Sequence, residues 1–188
     1  MTDSEIIEKK SAIRRRIQAS LAHELPDSEV SERIISFLKK ILPTGVIIGA
    51  FKSRPDEPDL EALYADKNYQ FAFSRIESSA LEFYIPQVSH AFGLNSFGIP
   101  EPIQDRSKKI ILEAMKAILV PGIAFDRNGV RLGRGEGFYD RTLVHFTGLK
   151  IGIGMVGQMT NDDLPRASHD VVMDMVVTDK FIYRRFDS

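Results

Sequence analysis

The chain contains no cysteine, which excludes disulfides, thiolate-bound metal and a cysteine nucleophile together, and is compatible with a reducing cytosol. It also lacks a dominant charge: 25 Lys and Arg stand against 26 Asp and Glu, for a formal net charge of −1. No overall field therefore draws it to nucleic acid or an anionic membrane, and any polyanion site must be local. Long apolar runs are missing. Residues 1–10 have neither an apolar core nor small residues of the cleavage type, and no later run approaches the roughly 20 apolar residues of a membrane span. A soluble, cytoplasmic protein without nucleic-acid or membrane partners is expected. The P-loop pattern G-x-x-x-x-G-K-[ST] and the H-E-x-x-H of zinc hydrolases are both absent, as are repeats, coiled-coil heptads and low-complexity blocks. What remains, 188 residues of which 43% are hydrophobic, suits one domain spanning 1–188 with a sizeable core.

Helix and strand patterns alternate along the chain. Ile6, Ile13, Ile17 and Leu21 form a helical stripe behind a cap at Thr2, Asp3 or Ser4, with Lys9, Lys10, Arg14, Arg15 and Arg16 mostly off it. A second amphipathic helix begins at Asp27 or Ser28, turns Val30, Ile34, Phe37, Leu38 and Ile41 inward, and stops near Pro43 and Gly45. Residues 46–51 read as a buried strand, 59–65 as a short helix, and 69–73 and 81–85 as a hairpin-like pair of strands. The stretch 92–102 is turn-rich, and strands follow at 117–120, 150–156 and 173–178, with a helix at 138–146. This order predicts an α/β sheet with helices on its faces, mixed because of the hairpin pair.

Most of the chemistry is concentrated at 119–140. Gly133, Gly135 and Gly137 allow backbone angles closed to other residues, so that successive amides can turn onto a phosphate, while Arg131 and Arg134 supply fixed positive charge. A helix starting at Phe138 would put this cradle at a helix N-terminus. The plain alternative is a solvated Gly/Arg loop. Lys10 and Arg14, four residues apart on one helix face, could grip a second part of a polyphosphate, although such a basic run is more often only a solvated surface. Gly152-Ile-Gly-Met-Val-Gly157 matches G-x-G-x-x-G but lies inside a strand, with no phosphate-binding helix after it, and reads as a close-packed glycine face. His23, His90 and His145 have no metal-like spacing, and His169-Asp170 closes a polar loop rich in carboxylates. Asp140 and Asp174 are the candidate Mg²⁺ ligands beside a bound phosphate, though either one alone is more often a cap or a salt-bridge residue.

Taken together, these residues resemble the 5-formyltetrahydrofolate cyclo-ligase family, also called methenyltetrahydrofolate synthetase. The resemblance rests on 120–141, which is similar to a Pro-Gly-x-x-Phe-Asp strand exit followed by an Arg-Leu-Gly-Arg-Gly-x-Gly-Tyr-Tyr-Asp loop. Lys10-Ser-Ala-Ile-Arg14, Asp56-Glu57-Pro58, Gly98-Ile-Pro-Glu-Pro102 and His169-Asp170 extend it over nearly the whole chain. It implies a three-layer α/β/α sandwich with a central mixed, mainly parallel sheet, Rossmann-like but without a dinucleotide fingerprint. It also implies an enzyme that uses ATP and Mg²⁺ to convert 5-formyltetrahydrofolate, with or without a polyglutamate tail, into 5,10-methenyltetrahydrofolate, ADP and phosphate. In that reaction the formyl oxygen takes the γ-phosphoryl group, N10 attacks the activated carbon, and phosphate departs.

By position, the resemblance assigns ATP to Lys10, Arg14, Arg131, Leu132, Gly133, Arg134, Gly135, Glu136, Gly137, Phe138 and Tyr139, with Arg134 and Lys10 catalytic. Folate falls to Lys52, Glu57 and the shared stretch Arg134, Gly135, Glu136, Gly137 and Phe138, and Mg²⁺ to Asp140 and Asp174. A monomer is expected. Two departures stand out: Phe138 replaces the first tyrosine of the signature, and Glu136 puts a negative charge inside a phosphate loop. Rival readings are a nucleotide- or folate-binding paralogue that has lost turnover or changed substrate, and an RNA-binding module; the near-zero net charge opposes the second.

Overall fold

The computed structural model describes residues 2–21, 25–88 and 90–185, so His23 lies outside the described residues. Helix α1 (Asp3–Leu21) opens on a capping box in which the Thr2 hydroxyl accepts from the Glu5 amide at 3.3 Å and the Glu5 carboxylate accepts from the Thr2 amide at 2.7 Å. Helix α2 (Ser28–Ile41) is capped by Asp27, which accepts from the Val30 amide at 2.8 Å. Strand β1 (Ile47–Ala50), helix α3 (Glu61–Tyr64) and the hairpin β2 (Gln70–Glu77) and β3 (Ala80–Pro86) follow. A small hairpin of β4 (Phe92–Leu94) and β5 (Pro100–Pro102) precedes β6 (Ser107–Ile110) and β7 (Met115–Pro121). Next come a second small hairpin, β8 (Ala124–Phe125) and β9 (Arg131–Leu132), then α4 (Phe138–Leu143), β10 (Leu149–Ile153), β11 (Met175–Val177) and β12 (Ile182–Arg184).

Eight strands form the central sheet in the order β12-β11-β10-β7-β1-β2-β3-β6. Strands β11, β10, β7, β1 and β2 run parallel, and antiparallel β12 and the β3–β6 pair flank them. The sheet is therefore mixed and mainly parallel, as expected. Alternation along β7 divides the core. Ala117 and Leu119 face Ile34 and Leu38 of α2 together with Leu60 and Leu63, whereas Ile118 and Val120 face Phe125, Leu143 and Phe146 on the other side. The β8–β9 hairpin carries Phe125 into that second layer and offers Ala124 and Leu132 to Ile17 of α1. Among the described residues, no helix is long and apolar enough to cross a membrane.

The elements that sequence patterns miss are short. Pro100-Glu-Pro102 and Ser107-Lys-Lys-Ile110 are too brief and too polar to show a period, and the expected helix 138–146 ends at Leu143. The G-x-G-x-x-G lookalike is packing. A Cβ at Gly152 would lie 2.6 Å from the Phe125 ring, so glycine is what lets that fully buried ring lie on β10.

Candidate functional site

A cavity of about 1130 Å³ opens beyond the carboxyl ends of β1 and β7. This is where an open α/β sheet places its ligands, because the loops that leave the strands there diverge. Its walls come from α1, from residues 51–57 after β1, from the exposed end of β2, from the β4–β5 hairpin, and from two loops, 131–141 and 167–170. Lys10, Arg14, Lys52, Glu57 and the stretch 131–140 all line it, so one cavity gathers nearly every residue expected at the site.

Helical spacing puts Lys10 and Arg14 on that wall. Lys10 forms an ion pair with Asp170, both side chains being largely buried, and Arg14 Nε donates to the Gly133 carbonyl at 2.7 Å. Burial pulls the Arg14 guanidinium below its ordinary pKa; Asp170 opposes the shift and Arg131 reinforces it. Arg131 is buried more deeply. Its Nη1 donates to the Pro121 carbonyl and its Nη2 to Asp140 Oδ2, both at 3.1 Å, and the guanidinium lies 5.3 Å from the centre of the Tyr139 ring. It is thus a strut beneath the loop as well as a source of charge. Arg134 points the other way: one nitrogen, Nη2, donates to both oxygens of Asp56 at 2.9 and 2.8 Å and to Glu57 Oε1 at 3.1 Å.

Glu57 is buried and accepts a second hydrogen bond from the Arg54 amide at 3.1 Å. Burial raises its pKa, and the Arg54 amide and Arg134 work against that rise. Burial likewise pushes the Tyr139 phenol far up, against a hydrogen bond with Ser74, which keeps it protonated and able to donate. Lys52 is already partnered. Its ammonium pairs with Glu61 at 2.6 Å and sits 4.5, 4.8 and 5.5 Å from the ring centres of Phe92, Phe73 and Tyr64.

Several sequence expectations need correction. Only Gly135 (φ 118°) and Gly137 (φ 68°) use left-handed backbone; Gly133 does not, and is small because a Cβ there would lie 2.6 Å from Arg131 Nη1. Helix α4 has only six residues, so an anion at this loop would have to be met by loop amides and guanidinium groups rather than by a helix dipole. The Leu132 side chain belongs to the core beneath α1, leaving only its backbone for a ligand. Phe138 keeps an aromatic wall, with Arg141 5.4 Å from its ring centre, and Glu136 is exposed.

The aspartates divide differently from expectation. Asp140 lines the cavity and accepts from Arg131 and, through Oδ1, from the Val171 amide at 3.1 Å. Asp174 does not line it. It precedes β11, at the opposite end of the parallel strands, where its carboxylate takes the Lys150 amide at 2.7 Å and the Lys150 ammonium at 3.1 Å. Asp170, four residues earlier, does line the cavity. Among the described residues no three His, Cys, Asp or Glu cluster as a closed metal site. Asp140 and Asp170 fit the other pattern, in which Mg²⁺ takes one or two carboxylates and completes its shell with phosphate oxygens and water. Sequence reasoning also gave no role to Asp56 or to Glu101, although each lies in a stretch that carries the resemblance.

Residues 60–179 match the model of the 5-formyltetrahydrofolate cyclo-ligase family. The 5-formyltetrahydrofolate cyclo-ligase of Mycolicibacterium smegmatis is 42% identical over 85 residues, 45% of this chain and 44% of that one. A probable 5-formyltetrahydrofolate cyclo-ligase of Schizosaccharomyces pombe is 30% identical over 124 residues, 58% of this chain and 60% of that one. In these matches the chain spans about half the length of its curated relatives. The structure of Aquifex aeolicus 5,10-methenyltetrahydrofolate synthetase is similar with a TM-score of 0.80 at 31% identity, covering 95% of this chain and 94% of that one.

Proposed function

The chain belongs to the 5-formyltetrahydrofolate cyclo-ligase family, and on that premise we propose that it closes 5-formyltetrahydrofolate to 5,10-methenyltetrahydrofolate, converting ATP to ADP and phosphate. The observation that carries this reading is the position of Arg134. Its guanidinium sits in the same cavity as the basic pair on α1 and is hydrogen-bonded to a buried carboxylate, Glu57, suited to ring N–H donors. An arginine so held can touch two ligands where they meet.

The chemistry asks for that arrangement. A formamide carbon is a poor electrophile and its oxygen a poor leaving group, so the oxygen must first accept a phosphoryl group. The N10 amine then attacks the carbon, the N10 proton is lost, and the C–O bond breaks with its electron pair leaving on phosphate. No protein nucleophile is needed, and catalysis consists of positioning and charge stabilisation. Lys10 and Arg14 would hold the polyphosphate, and Arg134 would contact the transferring group. Asp140 and Asp170 would hold Mg²⁺, which supplies neutralisation of phosphate charge; Asp170 takes the place expected for Asp174. Glu57 would accept adjacent N–H donors of the pterin, and Phe138 would wall the junction between the ligands.

The test is formation of the methenyl chromophore from 5-formyltetrahydrofolate, with and without ATP and Mg²⁺. Absorbance that grows only with both supports the reading. A folded sample that binds ATP and folate yet forms no chromophore would instead be a binding paralogue.

A further inference from the structure

The β4–β5 hairpin holds a carboxylate that the mechanism above does not use. Glu101 is only 7% exposed yet lines the cavity. Its Oε1 accepts twice, from the Ile76 amide at 3.1 Å and from Asn95 Nδ2 at 2.8 Å, while its Oε2 takes no hydrogen bond among the described residues; the nearby Arg75 feels its charge but bonds Glu77 and the Pro102 carbonyl. The reason for the first contact lies in the sheet. Strand β1 pairs with β2 only as far as Phe73, so the Ile76 amide faces an open edge, and the hairpin covers it with Glu101. Asn95 fixes the hairpin in turn, its Oδ1 accepting from the Phe97 and Ile99 amides at 2.9 and 3.0 Å. One oxygen is therefore clamped from two sides and the other is left toward the cavity. A carboxylate held rigidly through one oxygen, with the other accessible, is suited to accept a hydrogen bond from a ligand.

We propose that Glu101 is a second substrate-recognising carboxylate, whose Oε2 accepts a ring N–H of the reduced pterin other than those facing Glu57. The proposal rests on the folate reading of the cavity. Reduced pterins carry N–H donors on more than one edge, and Glu57 and Glu101 approach from different elements, the loop after β1 and the β4–β5 hairpin. Two carboxylates on separate walls would fix the ring in its plane, and so fix the direction in which the formyl oxygen meets the phosphoryl group.

Glu101→Gln tests this with little change of shape. The amide oxygen can still accept from Ile76 and Asn95, while an NH₂ donor replaces the oxygen that faces the cavity. The calorimetric Kd for 5-formyltetrahydrofolate is expected to rise about 10- to 100-fold, with ATP affinity and melting temperature unchanged. An unchanged folate Kd overturns the proposal, and so does a loss of melting temperature or ATP affinity in parallel with folate binding, which would make Glu101 only a strut for the hairpin. Failure of the wild-type protein to bind 5-formyltetrahydrofolate refutes the cyclo-ligase reading and this inference with it. Wild-type binding that survives the substitution refutes the inference alone.

Discussion

Replacing Arg134 by alanine should separate its contribution to turnover from its contribution to stability. The bonds to Asp56 involve side chains that are 34% and 49% exposed, so their loss costs about 0–1 kcal/mol. The bond to Glu57 counts for more, because that side chain is 8% exposed and would keep a buried charge with only the Arg54 amide to satisfy it, at about 1–3 kcal/mol. For a chain of this length, that lowers Tm by about 2–12 °C. Turnover should fall much further, about 10³-fold or more, if the guanidinium stabilises the transferring phosphoryl group. The stability loss should also depend on pH. Burial already raises the pKa of Glu57, so its ionised form is disfavoured in the fold, and removing Arg134 takes away one of the influences that oppose the rise. The penalty is present above the folded pKa and fades as pH falls toward the ordinary carboxylate range, so the Tm deficit should be larger near pH about 8 than near pH about 5. Adding Glu57→Gln should recover the Tm of Arg134→Ala while leaving turnover abolished. A Tm deficit that is equal at both pH values and survives Glu57→Gln, with less than about a tenfold loss of kcat, would refute this account of Arg134.

The remaining expectations concern single sites. Asp170→Asn should raise the Mg²⁺ concentration needed for half-maximal turnover about 10- to 100-fold, whereas Asp174→Asn should leave it unchanged; a Mg²⁺ titration in which the two behave alike would undo the assignment. Glu57→Gln alone should abolish folate binding yet raise the Tm of the ligand-free protein, more so at alkaline pH because the raised pKa marks a disfavoured charge, and differential scanning fluorimetry across pH decides it. Gly152→Ala should lower Tm by about 2–12 °C, since the new methyl would press on the buried Phe125 ring at a cost of about 1–3 kcal/mol, while nucleotide affinity stays as it was. A loss of ATP binding at unchanged Tm would instead make that glycine part of the site.

The sequence announces those parts of the fold that bury a regular pattern. Ile6 and Ile17 of α1, Ile34 and Leu38 of α2, and the continuous apolar runs of β1 and β7 are core residues, and their spacing reveals them. Strand β6, whose Lys108 and Lys109 are exposed at the sheet edge, carries no such pattern, and its existence depends on pairing with β3. The same limit applies at the site. Lys10 and Arg14 are legible because a helix period fixes their direction, and the glycine loop because its composition is unusual. Asp170 and Asp174 stand four apart in a segment without regular structure, so no period says which one faces the cavity. The chain settles it by running from the cavity wall to the start of β11 between them. Gly133 shows the converse error, since a pattern of three glycines suggests three unusual backbone angles when one glycine only makes room for a guanidinium.

What the sequence least foretells is that several cations of the cavity are already matched, Lys10 with Asp170, Arg131 with Asp140, and Arg134 with Asp56 and Glu57, whereas Arg14 bonds the Gly133 carbonyl. On the proposed reading, ligand binding at Lys10 and Arg134 would therefore be an exchange of partners, while Arg14 would meet a polyanion without giving up a carboxylate. Lys10 and Arg134 can turn to phosphate oxygens only as their carboxylates acquire other donors, and those substitutes are what a divalent cation at Asp170 and pterin N–H groups at Glu57 would provide. Arg131 differs, because its bond to the Pro121 carbonyl and its burial under the loop tie it to the backbone. If the cavity takes ATP as proposed, the positive charge that Lys10 and Arg134 offer it would depend on what else is bound.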